Sequence, residues 1–404
     1  MAQPDVPTQL DALAQELKDA ANGIRAGTIS LETGARFKVL EAARAIIGAV
    51  EAPTDLLMQW VPSVTQLTAV RLFNQWKVFD AIPTESGSSI SYKELAEKVN
   101  ADVILLVRLA WILVATGVLE QIGTDRIAHT RKSKIYIGTN PVTAMVRLIF
   151  DDNMPSFMAM PKYFDKFGLK EPTGRLDTVV AFAFDQVGKS AYEVMLDTPE
   201  RTANFMLAMQ SLEVEYPFLG TYDLSWAVPA AGDTSDRPLV VDVGGGKGQS
   251  IKAIVKATPG LPVSRCVVED LPDVVAEAKA IDDPELAGVS YVGMDFHAEQ
   301  PVKGALVYFI RRCLHNYGDD DSVGILKKIA DAMAPDSRLL IVEQVMTNPP
   351  NHYSSGFDIF MATIGGKERT YDIFEDIAAR AGLKILSLSR NPGNDVGTVE
   401  CVKA

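Results

Sequence analysis

Leu239-Val240-Val241-Asp242-Val243-Gly244-Gly245-Gly246-Lys247-Gly248 reads as an apolar strand running into a glycine loop, and the stretch decides the fold. Glycines at 244, 246 and 248 alternate, and Gln249 to Ala257 continues as a helix. The spacing is not that of a nicotinamide site. Counted from Gly244, a Gly-x-Gly-x-x-Gly fingerprint needs its last glycine at 249, where this chain has Gln249. Alternating glycines let the main chain pass flush against a bulky ligand, with Asp242 at the strand end able to engage a polar or cationic group.

Working outward from this loop, strands and helices alternate to the C-terminus. The expected strands are Leu239–Val243, Val263–Val268, Val289–Val292, Ala305–Ile310, Ser337–Val345, Lys384–Ser389 and Thr398–Val402. This is an α/β pattern, a Rossmann-like doubly wound sheet that is mostly parallel. Ligands of such sheets lie at the carboxyl ends of the strands, so those residues carry the chemistry. After the second strand, Glu269-Asp270-Leu271-Pro272 puts a carboxylate where a ribose would present its hydroxyls, with Asp270 preferred and Glu269 the fallback. After the third, Asp295 is placed to accept from an adenine amino group while Met294 or Phe296 covers the ring.

The fourth strand runs into Arg311-Arg312-Cys313-Leu314-His315-Asn316-Tyr317. His315 is one of only four histidines in the chain and stands just past a strand end, where a neutral imidazole can take a proton. Glu343 closes the fifth strand, and Glu368 sits in the loop Gly365-Gly366-Lys367-Glu368-Arg369-Thr370. A carboxylate on the far ring nitrogen would fix the tautomer and stabilise the imidazolium.

The region before the linker 230–238 is mainly helical: Gln9 to Arg25, Thr33 to Val50, Asp55 to Val61 and Ser63 to Phe79. Ser91-Tyr92-Lys93-Glu94 is a capping box, Asn100 or Asp102 caps a second helix through Ala115, and 118–122 with 126–130 alternate like a hairpin. Helix, helix, hairpin is a winged-helix order. Residues 1–230 are thus expected to form a helical domain and 231–404 the sheet domain. Between Met154 and Trp226 the helical pattern is rich in Phe and Met; Phe205 and Met209 there, with His129 and Met361, are the candidate substrate contacts.

With 404 residues and 47% hydrophobic content the chain can bury two cores, and a formal charge of −13 disfavours a nucleic-acid partner. The apolar stretch 103–119 contains Arg108 and is too short for a full span, so no membrane partner is expected. Cys266, Cys313 and Cys401 have neither knuckle nor disulfide spacing, which argues for no bound metal and a reducing, cytoplasmic setting.

The glycine loop resembles motif I of class I S-adenosylmethionine (SAM) methyltransferases. Together VVDVGGGKG, VVEDLPDVV, GMDF, RRCLHNYGDDDS and GGKERT, in this order, resemble the plant- and fungal-type small-molecule O-methyltransferases from about Leu67 to the end. The resemblance implies SAM as cofactor, held by Asp242, Gly244, Gly246, Asp270, Asp295 and Phe296, with Arg311 as a basic residue nearby. It implies His315 as general base supported by Glu343 and Glu368, a phenolic or enolic hydroxyl of an aromatic or polyketide-like molecule as acceptor, and a homodimer formed through the winged-helix unit. Where relatives often carry Trp after the base, this chain has Asn316-Tyr317. The alternative is an enzyme of the same fold that keeps SAM as an electrostatic element and catalyses dehydration or pericyclic ring formation. A DNA-binding regulator and an idle SAM-binding subunit are the remaining readings.

Overall fold

The computed structural model describes residues 5–28, 35–212, 216–232, 236–391 and 395–404. Two compact units emerge: Met1–Met158 with Met195–Leu212, and Ala159–Val194 with Glu213–Ala404. The division is thus drawn elsewhere than at 230. Residues from Tyr216 onward join the sheet unit because the Tyr216 hydroxyl donates to Gln344 Oε1 at 2.8 Å and the Thr221 amide to Asn391 Oδ1 at 3.1 Å. Of the expected linker, 233–235 lie outside the described residues, as does Thr33.

In the first unit the two helices expected on either side of Pro62 are one, Pro53–Gln75, with the proline inside it. The ring removes one backbone hydrogen bond on an exposed stretch, and the hydroxyls of Ser63 and Thr65 bond the carbonyls of Gln59 and Val61, each at 2.8 Å. Lys77, at φ 54°, breaks the helix before the short Val78–Ala81 turn. The capping box is present: Ser91 Oγ accepts from Glu94 N at 3.2 Å, and Ser91 N donates to Glu94 Oε2 at 3.0 Å. Asp102, not Asn100, caps the next helix, Val103–Ala115, by accepting from Leu105 N at 2.9 Å; Asn100 instead ends the preceding helix at φ 51°. Strands β1 (Ile90–Ser91), β2 (Leu119–Ile122) and β3 (Arg126–His129) pair antiparallel in the order β1-β3-β2. Phe73, Phe79, Leu95, Leu106, Leu113 and Ile127 form the fully buried centre, each contributing roughly 1.5–3 kcal/mol. Among the described residues no helix is long and apolar enough to cross a membrane.

All seven expected strands of the second unit are present: β4 (Val240–Val243), β5 (Cys266–Asp270), β6 (Ser290–Gly293), β7 (Val307–Arg311), β8 (Arg338–Met346), β10 (Leu383–Arg390) and β11 (Val396–Lys403), with a short extra β9 (Arg369–Thr370). The start expected at Val263 is a short 3-10 turn through Arg265, because Pro262 precedes it and cannot donate to a ladder. The sheet runs β10-β11-β8-β7-β4-β5-β6, with β9 beside β8. Strands β4 to β8 are parallel, and β11 returns antiparallel against β8.

Chain order reverses at β4: β5 and β6 lie to one side, β7 and β8 to the other. The crevice of a doubly wound sheet opens at such a switch point. Register aligns the candidates there. Val243 pairs with Glu269 and Ile310, Asp270 with Gly293, and Arg311 with Val342. Gly244, Asp270, Arg311 and Glu343 therefore follow one line along the carboxyl edge. Beneath them Val240, Val241, Tyr308, Phe309, Leu339 and Leu340 are fully buried, which keeps that edge rigid.

Candidate active site

The loop after β4 is shaped by positions only glycine fits without strain. Gly244 stands at φ +72°, where an added Cβ would lie 2.8 Å from Cys313 Sγ and 3.4 Å from the Phe296 ring. The amides of Gly244 and Gly245 both donate to the Glu269 carbonyl, at 2.8 and 2.9 Å, and the Gly246 amide donates to Asp270 Oδ2 at 2.8 Å. The other Asp270 oxygen accepts from Leu271 N at 2.7 Å. Burial pushes the Asp270 carboxyl above its ordinary range. It is Asp270, not the fallback Glu269, that reaches the glycine loop. Glu269 is fully buried near Gln300, and burial pushes it up to about 7.

Asp242 lies under the loop. It is 1% exposed, its Oδ2 has no hydrogen-bond partner, and burial pushes its carboxyl up to about 7 against the opposing charge of Arg311. Arg311 also donates to the Tyr216 carbonyl and lies 4.2 Å from the Phe218 ring centre, so it ties the 216–218 segment to the strand end. On the other side, Asp295 is exposed and turns its Oδ1 to His297 N at 2.8 Å, while Phe296 packs edge-on to Tyr317 at 5.9 Å. A bare loop, a carboxylate on the next strand, an aromatic ring and an orphaned acidic oxygen fit a ligand that combines a flat base, a sugar and a cationic tail.

The β7 edge supplies the acid–base group. His315 sits on the 3-10 turn Leu314–Asn316 with its side chain 8% exposed. Its Nδ1 donates to Glu368 Oε1 at 3.0 Å, and Glu343 Oε2 stands 3.9 Å from the same nitrogen. With a carboxylate facing Nδ1, the neutral ring is held in the tautomer that carries its proton there, and in that tautomer Nε2 has the lone pair. Glu343 uses its other oxygen to brace the turn, accepting from the amides of Cys313 and Leu314 at 3.0 Å each. Burial raises the Glu343 carboxyl above its usual range. Both Glu343 Oε2 and Glu368 Oε2 are buried without a hydrogen-bond partner. One ligand atom from each of the three residues lies within 4.8 Å of the others, a spacing a divalent cation could bridge only by displacing the Nδ1 proton.

Glycine and arginine place this triad. A Cβ on Gly366 would stand 2.0 Å from the His315 carbonyl, so only glycine lets the 365–370 loop lie against the turn. The Lys367 amide then donates to the His315 carbonyl at 2.9 Å, and Glu368 N to Asp358 Oδ1 at 2.9 Å. Arg369, 1% exposed, donates to the carbonyls of Leu314 (3.1 Å) and Tyr317 (2.8 Å) and pairs with Asp319 at 2.8 Å.

Sequence reasoning missed Arg369, Asp319 and Asp358, and also Tyr192, a phenol that burial raises and whose neighbours include Tyr317, Cys313, Arg312 and Glu343. No motif marks Tyr192. For Arg369 the sequence offers only its place beside Glu368, which does not reveal that its side chain reaches back to Leu314, Tyr317 and Asp319. The four candidate substrate contacts fall differently. Phe205 and Met209 pack beside Ala144, Leu148 and Ala208 in the first unit, and Met361 is buried beside the site loop, its carbonyl accepting from Gly366 N at 3.0 Å. His129 has both ring nitrogens engaged, Nδ1 with Ser133 Oγ at 2.8 Å and Nε2 with the Phe79 carbonyl at 3.0 Å. This half-buried bridge within the first unit engages both ring nitrogens, so His129 has no ring nitrogen left for a substrate.

A family model described as an O-methyltransferase domain matches residues 174–384. The methyltransferase cfoD of Aspergillus candidus is 37% identical over 391 residues, covering 94% of this chain and 96% of that protein. The O-methyltransferase kntB of Aspergillus niger is 31% identical, covering 96% and 92%. Among solved structures, OxaC in complex with sinefungin and meleagrin superposes with a TM-score of 0.83 at 22% identity over 99% of both chains. A structure titled a pericyclic reaction enzyme superposes at 0.80 with 24% identity, over 98% and 99%. The chain belongs to the plant- and fungal-type O-methyltransferases, a family of SAM-dependent enzymes built on the Rossmann-like sheet found here.

Proposed function

We propose that the protein transfers a methyl group from SAM to a phenolic or enolic hydroxyl of an aromatic or polyketide-like small molecule, with His315 as the base. The observation that carries this reading is the His315 ring itself: Nδ1 faces Glu368 at 3.0 Å, which in the neutral ring makes Nε2 the nitrogen that can take a proton. When bound, SAM supplies an electrophilic methyl carbon on sulfur. His315 Nε2 takes the hydroxyl proton, the O–CH₃ bond forms as the S–CH₃ bond breaks, and the electron pair stays on sulfur. Glu368 and Glu343 balance the imidazolium, and the rigid strand ends hold acceptor and donor in line.

The cofactor residues proposed are Asp242, Gly244, Gly246, Asp270, Asp295, Phe296 and Arg311; Phe205, Met209 and Met361 are proposed for the substrate wall. The relatives at 36–39% identity are named methyltransferases without an acceptor atom, so oxygen as acceptor rests on the base and on the O-methyltransferases at 30–31%.

The second reading, a SAM-assisted cyclase, draws on the fold shared with the pericyclic enzyme. Mass spectrometry during turnover with SAM, a phenol and enol mixture and EDTA separates the two. Methyl transfer gives S-adenosylhomocysteine (SAH) in a one-to-one ratio with product that has gained one methyl; product formed without SAH overturns it.

Asp242 makes cofactor binding proton-linked. Its carboxyl holds a proton up to about 7 when the site is free, and a cationic tail favours the ionised form. Affinity for SAH should then rise about tenfold per pH unit below 7, with a plateau above, and the slope should vanish in Asp242→Asn. Titration calorimetry from pH 5 to 8 in buffers of differing ionisation enthalpy measures both; a flat profile in the parent protein counts against the assignment.

The first unit also bears the expected dimer contact. Leu56, Leu57, Met58, Trp60, Val61 and Val64 are all exposed on one helix, a density of large apolar side chains that marks an association surface. We assign it to a second copy of the chain through this winged-helix-bearing unit. Sedimentation should give a dimer for the parent and a monomer for Trp60→Glu with Val64→Glu; a monomeric parent removes the assignment.

A further inference from the structure

We infer that Arg312 recognises a second oxygen on the substrate, a carbonyl conjugated with the accepting hydroxyl, so that acyl enols and ortho-acyl phenols are preferred over isolated phenols. This rests on the methyl-transfer reading above.

The backbone points to Arg312 first. It stands at φ +52°, in the left-handed region that costs a side chain about 1–2 kcal/mol. The other such residues include Lys77, Asn100 and Asp282, which sit at helix ends where this turn is ordinary. Arg312 instead follows β7 directly, three residues before His315. Glycine or asparagine would make that turn at less cost, so the guanidinium is not there for the backbone.

Among the described residues its side chain has a ring contact but no anion. The guanidinium lies 4.5 Å from the centre of the Tyr216 ring, which fixes its plane. Among the described residues it forms no ion pair and its Nε is buried without a hydrogen bond. Other half-buried cations of this unit have a partner that accounts for them: Lys252 pairs with Asp283, Arg338 with Glu400 and Lys367 with Asp319, while Arg265 and Arg390 donate to backbone carbonyls. Yet Arg312 lies close enough for its charge to act on Glu343 and on Tyr192. A cation stacked in place beside the base, with no anion of its own, calls for an oxygen that brings negative charge.

Substrate chemistry supplies that oxygen. When His315 removes the proton of a hydroxyl conjugated with a carbonyl, the charge spreads over both oxygens. Nε2 keeps the proton, the reacting oxygen faces the methyl donor, and Arg312 donates to the other oxygen. Methylation neutralises the pair and removes the attraction, which favours release. An isolated phenol offers the guanidinium nothing.

The test uses full-length protein saturated with SAH and two isomeric probes, 2′-hydroxyacetophenone, whose phenolic hydroxyl is conjugated with the ortho carbonyl, and 3′-hydroxyacetophenone, whose hydroxyl is not. Ligand-observed NMR should show the ortho isomer binding at least about tenfold more tightly. Arg312→Asn, which relieves the backbone, should melt no lower than the parent and bring the two isomers to within about twofold; Arg312→Lys should keep part of the preference. Equal affinities in the parent, no measurable binding of either probe, or an undiminished preference in Arg312→Asn overturns the inference. A methyl-transfer assay on the same probes separates it from the proposed function. Transfer to both isomers with a ratio unmoved by Arg312→Asn leaves the function standing and sinks the inference, whereas an Arg312-dependent binding preference without SAH formation does the reverse.

Discussion

Replacement of His315 by alanine lowers kcat for methyl transfer by about 10²–10⁴-fold, the usual contribution of a positioned general base. The ring is the one group at this edge that combines a free basic nitrogen with two supporting carboxylates, Glu368 at 3.0 Å and Glu343 at 3.9 Å. Its removal leaves the glycine loop untouched, because that loop is built from Glu269, Asp270 and its own amides. SAH affinity should stay within about threefold, less than the factor of ten that 1.4 kcal/mol would give. The residual rate should climb with pH, since the acceptor must then ionise unaided, and added imidazole should recover part of it. A variant with undiminished turnover refutes the base assignment and shifts weight to the cyclase reading. Glu368→Gln tests the same geometry more gently: an amide oxygen can still accept from Nδ1 but no longer balances the imidazolium.

How far the sequence carried this reading depends on which physical signal each residue leaves. The sheet was legible because buried parallel strands are continuous apolar runs punctuated by turn residues, and β4 to β8 all have that form. The carboxyl-edge line was legible for the same reason: once strand ends are known, Asp270 and Arg311 fall on it by register, Glu343 follows Val342, and His315 stands on the turn just past β7. Three things were not. Pro62 reads as a break because the proline rule is local, whereas an exposed stretch, where water can meet the freed carbonyl, makes the ring tolerable inside Pro53–Gln75. His129 reads as a candidate substrate contact because no pattern reveals that Ser133 and the Phe79 carbonyl bracket it. The division between the units escaped because 195–212 leave the sheet unit and 216–230 rejoin it through contacts far apart in the chain. The bracing of the catalytic turn by Arg369 is likewise a long-range fact, linking residues 314, 317, 319 and 322 through one side chain.

That bracing carries the second large effect. Arg369→Met should destabilise the protein by about 2–4 kcal/mol, because the Tyr317 carbonyl loses its side-chain donor, the Leu314 carbonyl keeps only Tyr317 N and Ser322 Oγ, and Asp319 keeps only Lys367 as its cation. Burial alone would raise the Asp319 carboxyl, but the charge and hydrogen bond of Arg369, with help from Lys367, outweigh it and hold it below its usual value. A lowered acid contributes stability above its unfolded pKa of 3.8 that is lost as pH falls through the still lower folded value. The parent should therefore lose stability on acidification in that window, and Arg369→Met should lose less. Arg369 touches neither base nor cofactor loop, so its part in catalysis is to position: it holds both ends of the Leu314–Asn316 turn while Glu343 holds the amides at its start. At a temperature where the variant is fully folded, kcat should still fall, more than KM rises. Arg369→Lys should restore the pairing with Asp319 but not the reach to both carbonyls, recovering stability ahead of rate. If kcat tracks only the folded fraction measured by calorimetry, Arg369 is a structural residue and the turn needs no brace.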